Sequence, residues 1–486
     1  MLGTRGVRRL LRVGLLTLIA TCIFLALRVW TAREPPSLWE QASLAPPTIT
    51  HDWSPDGRAQ SFRTPEAAHR APKLTRASYC DAVNISNIVV ITKTGAIEAK
   101  AKLPPQLSTC LSCVPDPLIF SDLDQTLGTY QIHDVLSRVG GEGTYRNEDF
   151  DLYYQQKDLA SRGREADIPA LASLPIASPD WRTIGKSAGW GLDKYKFLHM
   201  IDRAWEYQPD KDWYVFIETD TYLSLPNLAA FLATQDPTER WYFGNAVRMY
   251  ERDIVFHFAH GGSGFILSGA TVRDFAVTHK GLAVKHDWRF RVAWFGDYVL
   301  ANTFDEVLKL QVTNLLPMLQ SDNPANVPFA ADTWCKPVIT LHYIDAAHFQ
   351  QLFDFEKARD FAGFMYKNLY PLVFPSGAPP TWMEMWDNGS DNDAYAIVPT
   401  SDSETKIVRD RHNSFTACKT ACREVEECLQ FSFHSAKAKR SECFMSKSIR
   451  LGKKFVDMEA EGAVVHSGWV GERVGQWVEG HAECPA

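Results

Sequence analysis

Short apolar segments alternate with amphipathic segments along the middle of this chain, and this alternation limits the fold more than any other feature. The apolar segments are rich in β-branched and aromatic residues, which is typical of buried strands. They lie at residues 88–91, 118–120, 213–217, 241–243, 265–267 and 338–341. Between them, residues 190–207 have helical spacing, and a further helix is predicted from Pro226 to Leu232. This order predicts an α/β sheet with helices on both faces.

Length and charge restrict the domain count and the partners. A chain of 486 residues is long enough for two or three domains. Its composition, 45% hydrophobic and 22% charged, excludes a wholly disordered, collagen-like or coiled-coil chain. Lys and Arg number 51 against 58 Asp and Glu, so the net charge is −7 and nucleic acid is not an expected partner.

The first residues predict attachment to a membrane. Four arginines precede the uncharged run from residue 13 to 27, and residues 10–30 are long enough to span a bilayer if Arg12 and Arg28 snorkel. The arginines place residues 1–9 in the cytosol. A cleaved signal peptide is the alternative, and both interpretations put the rest of the chain in the secretory lumen or outside. Residues 31–78, rich in Pro, Ala, Ser and Arg, are predicted to be a stem.

Ten cysteines support a lumenal location. Cys22 lies in the apolar run, and the other nine are predicted to form mainly structural disulfides, with at least one thiol left free or paired between chains. Cys110 and Cys113 form a C-x2-C pair, but no second pair follows at zinc-finger spacing. Two sequons predict N-glycosylation at Asn84 and Asn388.

Three regions follow the stem. Residues 79–374 contain the predicted α/β domain, residues 375–402 are predicted to be a linker rich in Pro, Gly and Asp, and residues 403–486 form a small cysteine-rich unit.

The strand at residues 213–217 ends in two acids one residue apart, Glu218 and Asp220. Ligands of open α/β sheets bind at the carboxyl ends of strands. In extended chain these two side chains point the same way, so both can bind one hard cation such as Mn²⁺ or Mg²⁺. The alternative is a turn with two solvated acids.

Several motifs, taken in order, resemble glycosyltransferase family 31, which includes Fringe and the core 1 β1,3-galactosyltransferases. The family's D-D-D-T-Y region corresponds to Glu-Thr-Asp-Thr-Tyr at 218–222, and its G-G-A-G-F loop corresponds to Gly-Gly-Ser-Gly-Phe at 261–265. Its E-D-V and F-H-Y segments correspond to Gly-Asp-Tyr-Val at 296–299 and Leu-His-Tyr at 341–343. Weaker similarities lie at 91–94, 120–122 and 192–197. The resemblance implies a GT-A fold, a Rossmann-like α/β domain, over residues 87–345.

The resemblance also implies roles for particular residues. Glu218, Asp220 and His342 would bind Mn²⁺ or Mg²⁺, and Asp297 would be the general base. On the residues alone, a hydrogen-bonded core histidine is the favoured interpretation of His342, and only the family order reverses it; Asp297 also suits a helix N-cap. The implied nucleotide-sugar contacts are Thr92, Lys93, Asp122, Lys194, Thr219, Gly261, Gly262 and Gly264. The glycines also suit a plain turn, and Lys194 a solvated charge.

Two residues depart from the family pattern. Glu218 replaces the first Asp of the metal motif, and Gly296 replaces the acid before Asp297. The leading hypothesis is a Golgi type II membrane enzyme that transfers a hexose, with galactose favoured, from a UDP-sugar to a glycan or glycoprotein in β1,3 linkage with inversion. The alternatives are a catalytically silent homologue that acts as a chaperone or glycan-binding protein, and an extracellular adhesin.

The cysteine-rich unit resembles a PAN/apple module, a small disulfide-rich α+β fold. The resemblance rests on Cys418-x3-Cys422-x5-Cys428, the apolar run after it and Cys443. It implies the disulfides Cys422–Cys428 and Cys418–Cys443. Such a unit would bind a glycan or a protein, or be a structural appendage without a ligand.

Overall fold

The computed structural model describes residues 80, 83–176, 186–251, 254–392, 394–399, 405–437, 439–457 and 462–484. The predicted cytosolic tail, membrane span and stem, together with Cys22, lie outside these residues. Within the described part of the chain, no helix is both long and apolar enough to cross a bilayer.

Strands and helices alternate through the first two thirds of the described residues. The strands are β1 (Ile88–Lys93), β2 (Leu118–Ser121), β3 (Gln125–Leu127), β4 (Tyr130–Asp134), β5 (Trp213–Glu218), β6 (Tyr222–Leu223), β7 (Tyr242–Gly244), β8 (Ala246–Glu251), β9 (Ile254–Ala259), β10 (Phe265–Ser268), β11 (Thr313–Asn314), β12 (Thr340–Leu341), β13 (Trp382–Glu384), β14 (Trp386–Asp387), β15 (Gln430–Ala436), β16 (Lys439–Ser446), β17 (Lys453–Lys454) and β18 (Val464–Trp469).

The α-helices are α1 (Ala99–Ser108), α2 (Gly141–Thr144), α3 (Asp151–Ser161), α4 (Ala188–Asp193), α5 (Lys196–Tyr207), α6 (Leu225–Leu232), α7 (Gly269–Arg273), α8 (Leu282–Lys285), α9 (Asp287–Val292), α10 (Gly296–Thr303), α11 (Ala346–Ala358), α12 (Tyr366–Val373), α13 (Lys406–Arg409), α14 (Phe415–Glu424) and α15 (Gly471–Gly480). Short 3₁₀ and π segments include Gly261–Ser263 and Phe304–Leu308.

One eight-stranded sheet organises the central region, with the order β11-β7-β10-β5-β1-β2-β4-β3. Strands β5, β1, β2 and β4 are parallel, whereas β10 runs antiparallel to both β5 and β7. Strand β1 lies between β2, which follows it in the chain, and β5, which comes much later in the chain. The strand order therefore reverses at β1, and open α/β sheets bind ligands beside such a point.

Each face of this sheet has its own hydrophobic core. Along β5, Trp213, Val215 and Ile217 pack into one cluster, and Tyr214 and Phe216 pack into the other. This alternation follows from the two-residue period of a strand, and burial on both sides explains why the segment has no polar residue before Glu218. The predicted mixed α/β fold is confirmed.

The C-terminal part forms a second sheet, with the order β13-β18-β15-β16. Strands β13 and β14 lie inside the segment predicted to be a linker, and β13 pairs with β18. The first hydrophobic cluster continues into this part through Ile449 and Trp469. Cys335 is disulfide-bonded to Cys484, which also joins the C-terminal part to the central region.

The predicted elements differ from the structure in two further places. Residues 190–207 form two helices, α4 and α5, rather than one. Of residues 338–341, only β12 is a strand, and it pairs with β6 outside the main sheet. This pairing matters for the site below, because β6 follows Asp220 and β12 directly precedes His342.

Candidate functional site

Acidic and basic side chains meet where β1 and β5 end. These strands are parallel, and their last residues, Lys93 and Glu218, are register partners. The Lys93 ammonium lies 3.0 Å from a Glu218 carboxylate oxygen and also forms an ion pair with Asp193. The site therefore lies at the carboxyl edge of the sheet, at the position where the strand order reverses.

Glu218, Asp220 and His342 come together although more than 120 residues separate the acids from the histidine. Strand β12 pairs with β6, so Leu341 lies opposite Tyr222, and the backbone N–H of Ile344 donates to the Asp220 carbonyl at 2.9 Å. His342 Nε2 is consequently 3.3 Å from Asp220 Oδ1.

The three side chains fit a divalent cation. Each offers one ligand atom, and these atoms all lie within 4.8 Å of one another. Two carboxylates with one imidazole suit Mn²⁺ or Mg²⁺, because carboxylate oxygens are preferred by hard cations and imidazole is tolerated by Mn²⁺. Glu218 and Asp220 are half-buried, and each forms an ion pair within the protein, which does not match two freely solvated acids in a turn.

Neighbouring charges set the pKa values of the three side chains. Burial by itself would raise the pKa of Asp220, but His342 and Lys102 outweigh it and hold that pKa well below its usual range. Burial would likewise raise the pKa of Glu218, whereas Lys93 is the main group that lowers it. The pKa of His342 is raised, because Asp220 and Glu218 outweigh the effect of burial. The cluster thus holds two carboxylates ionised and attracts positive charge.

The glycine loop after β9 makes room for His342. A Cβ atom at Gly262 would overlap the His342 ring, and one at Gly261 would lie 3.3 Å from a Glu218 carboxylate oxygen. Gly264 has φ +77°, a left-handed conformation that favours glycine. The plain-turn interpretation is therefore incomplete, since the missing side chains create space at the acidic cluster.

Asp297 is hydrogen-bonded to the same loop. It is in the first turn of α10, whose N-cap is Phe295, so Asp297 is not the cap residue. Its Oδ2 accepts from the Gly261 N–H at 2.9 Å, and Oδ1 accepts from the Tyr298 N–H at 2.8 Å. Burial raises the pKa of Asp297 to about 6, against these two hydrogen bonds. A buried carboxylate with such a pKa suits a general base near neutral pH.

Close packing explains the glycine at position 296. A Cβ atom there would overlap the Phe197 ring and the backbone of Lys194. The position therefore excludes an acid in this protein. Of positions 296 and 297, which correspond to the two acids of the family's E-D-V segment, only Asp297 carries a carboxylate.

Other predicted nucleotide-sugar contacts are engaged within the protein. Thr92 is buried and donates to Gln106, and Asp122 accepts from the Ala96 N–H at 2.6 Å. Lys194 forms an ion pair with Asp149 at 3.0 Å, so its charge is paired within the protein rather than solvated. Thr219 is buried in the turn between the two acids.

Three residues near the site were missed by the sequence interpretation. Gln106 donates to the Glu218 and Thr221 carbonyls of the acidic turn, which is formed by residues 218–221. The buried Lys196 donates to the Thr94 carbonyl at 2.6 Å. Glu356 of α11 accepts from Ser224 and Tyr222, just after the turn. Only Lys196 had a local signal, since a lysine within an apolar helix face demands a buried partner.

The structure also places the predicted disulfides and sequons. Cys418 pairs with Cys443 and Cys422 with Cys428, while Cys80 pairs with Cys113. Among the described cysteines, Cys110 alone is a free thiol, and it is buried.

The two sequons differ in accessibility. Asn84 is exposed. Asn388 is completely buried, and its amide donates to the Phe431 carbonyl at 3.3 Å. A glycan on Asn388 has no room in the folded chain, which argues against glycosylation there.

Comparison with protein families agrees with this geometry. A family model described as Fringe-like matches residues 195–344. The matched segment contains Glu218, Asp220, the glycine loop, Asp297 and His342, whereas β1 and the C-terminal sheet lie outside it. The resemblance of residues 403–486 to a PAN/apple module stays a prediction. The Fringe-like match supports a glycosyltransferase function of the family 31 type for the domain that carries the acidic cluster.

Proposed function

We propose that this protein is an inverting glycosyltransferase that moves a hexose from a UDP-sugar to a hydroxyl group of a glycan or glycoprotein. The single observation that carries the proposal is the convergence of Glu218, Asp220 and His342 beside the buried carboxylate of Asp297. The Fringe-like match supports the same reaction class.

Each residue has a defined part in this reaction. Asp220 and His342, with Glu218 bound directly or through water, would hold Mn²⁺ or Mg²⁺, which supplies Lewis-acid stabilisation of the departing diphosphate. Asp297 accepts the proton of the acceptor hydroxyl as its oxygen attacks the anomeric carbon. Attack from the face opposite the diphosphate inverts the anomeric centre. The glycine loop lets the backbone approach the sugar closely.

The finer assignment is a galactosyltransferase that forms β1,3 linkages and is held in the Golgi membrane with type II topology. Similarity of His342-Tyr-Ile-Asp345 to the core 1 branch favours galactose. The arginine-flanked run at residues 10–30 supports the membrane anchor, and four disulfides support a lumenal location.

A panel of UDP-sugars tests this proposal. Purified lumenal protein with Mn²⁺ is incubated with UDP-galactose, UDP-GlcNAc or UDP-GalNAc and with glycan acceptors, and the product linkage is determined. We expect transfer of galactose in β1,3 linkage that disappears with EDTA. Transfer of another hexose would correct the donor. The absence of both transfer and UDP binding would contradict the enzyme and favour the silent homologue.

A further inference from the structure

We infer that Gln106 is a positioning residue for the metal centre, and this inference rests on the proposed function. Gln106 lies on α1, outside the segment matched by the Fringe-like model, and its side chain is fully buried. Its hydrogen bonds go to Thr92 and to backbone carbonyls rather than to the side chains of Glu218, Asp220 or His342. It acts on the backbone that carries two of them.

The Gln106 amide bridges the two ends of the acidic turn. Residues 218–221 form this turn, with the Thr221 N–H donating to the Glu218 carbonyl at 3.1 Å. Gln106 Nε2 donates to the same Glu218 carbonyl at 2.8 Å and to the Thr221 carbonyl at 2.9 Å. Both amide hydrogens are thus used on the residues that flank Asp220.

The other end of the amide fixes its orientation. Gln106 Oε1 accepts from the Thr92 hydroxyl at 3.4 Å. A carbonyl oxygen facing Thr92 leaves the NH₂ group facing the turn, which is the only orientation that satisfies two carbonyl acceptors. Gln106 therefore ties the turn to strand β1, on the predicted nucleotide side.

A second contact holds the turn from the opposite direction. The Thr221 hydroxyl donates to the Gly262 carbonyl at 2.8 Å, in the loop that makes room for His342. With Gln106 removed, the turn keeps this contact and the Lys93–Glu218 ion pair, and it loses the link through Gln106 to Thr92. The Thr221 carbonyl then lacks a donor, the Glu218 carbonyl keeps only the Thr221 N–H, and the turn shifts to recover the lost hydrogen bonds. Asp220 moves with it.

Two other buried glutamines provide matched controls. Gln430 has the same kind of bonding in the C-terminal sheet, where Nε2 donates to the Asn388 carbonyl at 2.9 Å and Oε1 accepts from the Arg450 N–H. Gln156 on α3 is equally buried, but neither polar atom of its side chain has a hydrogen-bond partner. Methionine replaces glutamine at nearly constant volume without a donor.

The experiment measures Mn²⁺ affinity by electron paramagnetic resonance in the presence of saturating UDP, together with the melting temperature. Gln106→Met should weaken Mn²⁺ binding about tenfold or more, as loss of an outer contact does at metal sites. Gln430→Met should lower the melting temperature while leaving Mn²⁺ affinity unchanged. Gln156→Met should lower neither the melting temperature nor the Mn²⁺ affinity.

Three outcomes overturn the inference. If Gln106→Met binds Mn²⁺ with the affinity of the wild type, the positioning role is contradicted, and the proposed function is not affected. An equal loss of affinity in Gln430→Met would make the effect a general consequence of lost stability. Failure of the wild type to bind Mn²⁺ contradicts the proposed function as well. If Gln106→Met does not fold, Thr92→Val replaces it, with a smaller loss of affinity expected and an unchanged affinity contradictory.

Discussion

Two regions of this protein bury polar side chains, and they do so in opposite ways. At the carboxyl edge of the central sheet, Glu218 and Asp220 bring two ionised carboxylates close together, with His342 beside them. In the C-terminal sheet, the neutral side-chain amides of Asn388 and Gln430 donate to the backbone carbonyls of Phe431 and Asn388 respectively.

The difference separates a functional centre from a structural network. Satisfied neutral groups contribute modestly to stability and attract no ligand. Two carboxylates in one cluster repel each other; Lys93 and His342 offset this repulsion in part, and a bound divalent cation would offset it further. The acidic cluster is therefore expected to gain stability from a cation, and the C-terminal network is expected to be indifferent to one.

The largest expected effect is loss of transfer on changing Asp220. Asp220→Asn keeps the shape and removes the charge, and we expect sugar transfer to fall at least about a thousandfold, roughly 4 kcal/mol of barrier. Because His342 and Lys102 hold the pKa of Asp220 below its usual range, its charge stabilises the folded state, so the melting temperature without metal should also fall and transfer is compared per folded molecule. Retained transfer, measured with UDP-sugar and Mn²⁺, would show that the acids do not serve the reaction.

The next effect concerns Asp297. Asp297→Asn should lower kcat by about a hundredfold or more while UDP binding by calorimetry stays unchanged, because the residue acts on the acceptor. In the wild type, kcat/KM should fall as pH drops below about 6, since protonation at the raised pKa removes the base. Loss of UDP binding in Asp297→Asn would instead indicate a structural role.

Glu356 sharpens the comparison between the two regions. It is a buried carboxyl that accepts hydrogen bonds from the hydroxyl groups of Tyr222 and Ser224, just after the acidic turn. Burial raises its pKa to about 7, against hydrogen bonds from Ser224 and Tyr222. The folded state therefore holds a proton that the unfolded state releases above about pH 4.5, so this residue makes stability fall as pH rises from about 4.5 to 7.

Glu356→Gln removes that titration. Relative to wild type, the variant should gain on the order of 3 kcal/mol between pH 4.5 and pH 8, measured by urea unfolding at both pH values. A difference between variant and wild type that does not change with pH would contradict the buried, protonated carboxyl.

The smallest effect belongs to the C-terminal network. Asn388→Ala should reduce the free energy of unfolding by about 1–2 kcal/mol, because the Ser390 hydroxyl and the Phe431 carbonyl lose their partner. Transfer per folded molecule should stay unchanged. A specific loss of transfer in fully folded Asn388→Ala would break the separation between the two regions.

The sequence predicted the parts of this structure that depend on local pattern. Strands β1, β2, β5 and β10 follow from their apolar, β-branched runs, because each is buried on both faces. The acidic pair at 218–220 follows from its position after such a run. The junction between α4 and α5 and the strands within residues 375–402 were missed, since periodicity does not mark them.

Contacts between distant segments lay beyond the sequence argument. Gln106 reaches the acidic turn across more than 100 residues, and a glutamine on a helix containing Pro104 and Pro105 carries no signal for such a role. Burial of Asn388 was equally hidden, because its sequon is typical of exposed loops. The proximity of His342 to Asp220 came from family order rather than from any local pattern.

The central claim is that Glu218, Asp220 and His342 form a single divalent metal centre. Anomalous diffraction at the manganese edge, from crystals grown with Mn²⁺ and UDP, tests it most directly. We predict a peak within coordination distance of Asp220 and His342, with Glu218 bound directly or through water. A manganese peak at another place, with this cluster lacking any, would contradict the account.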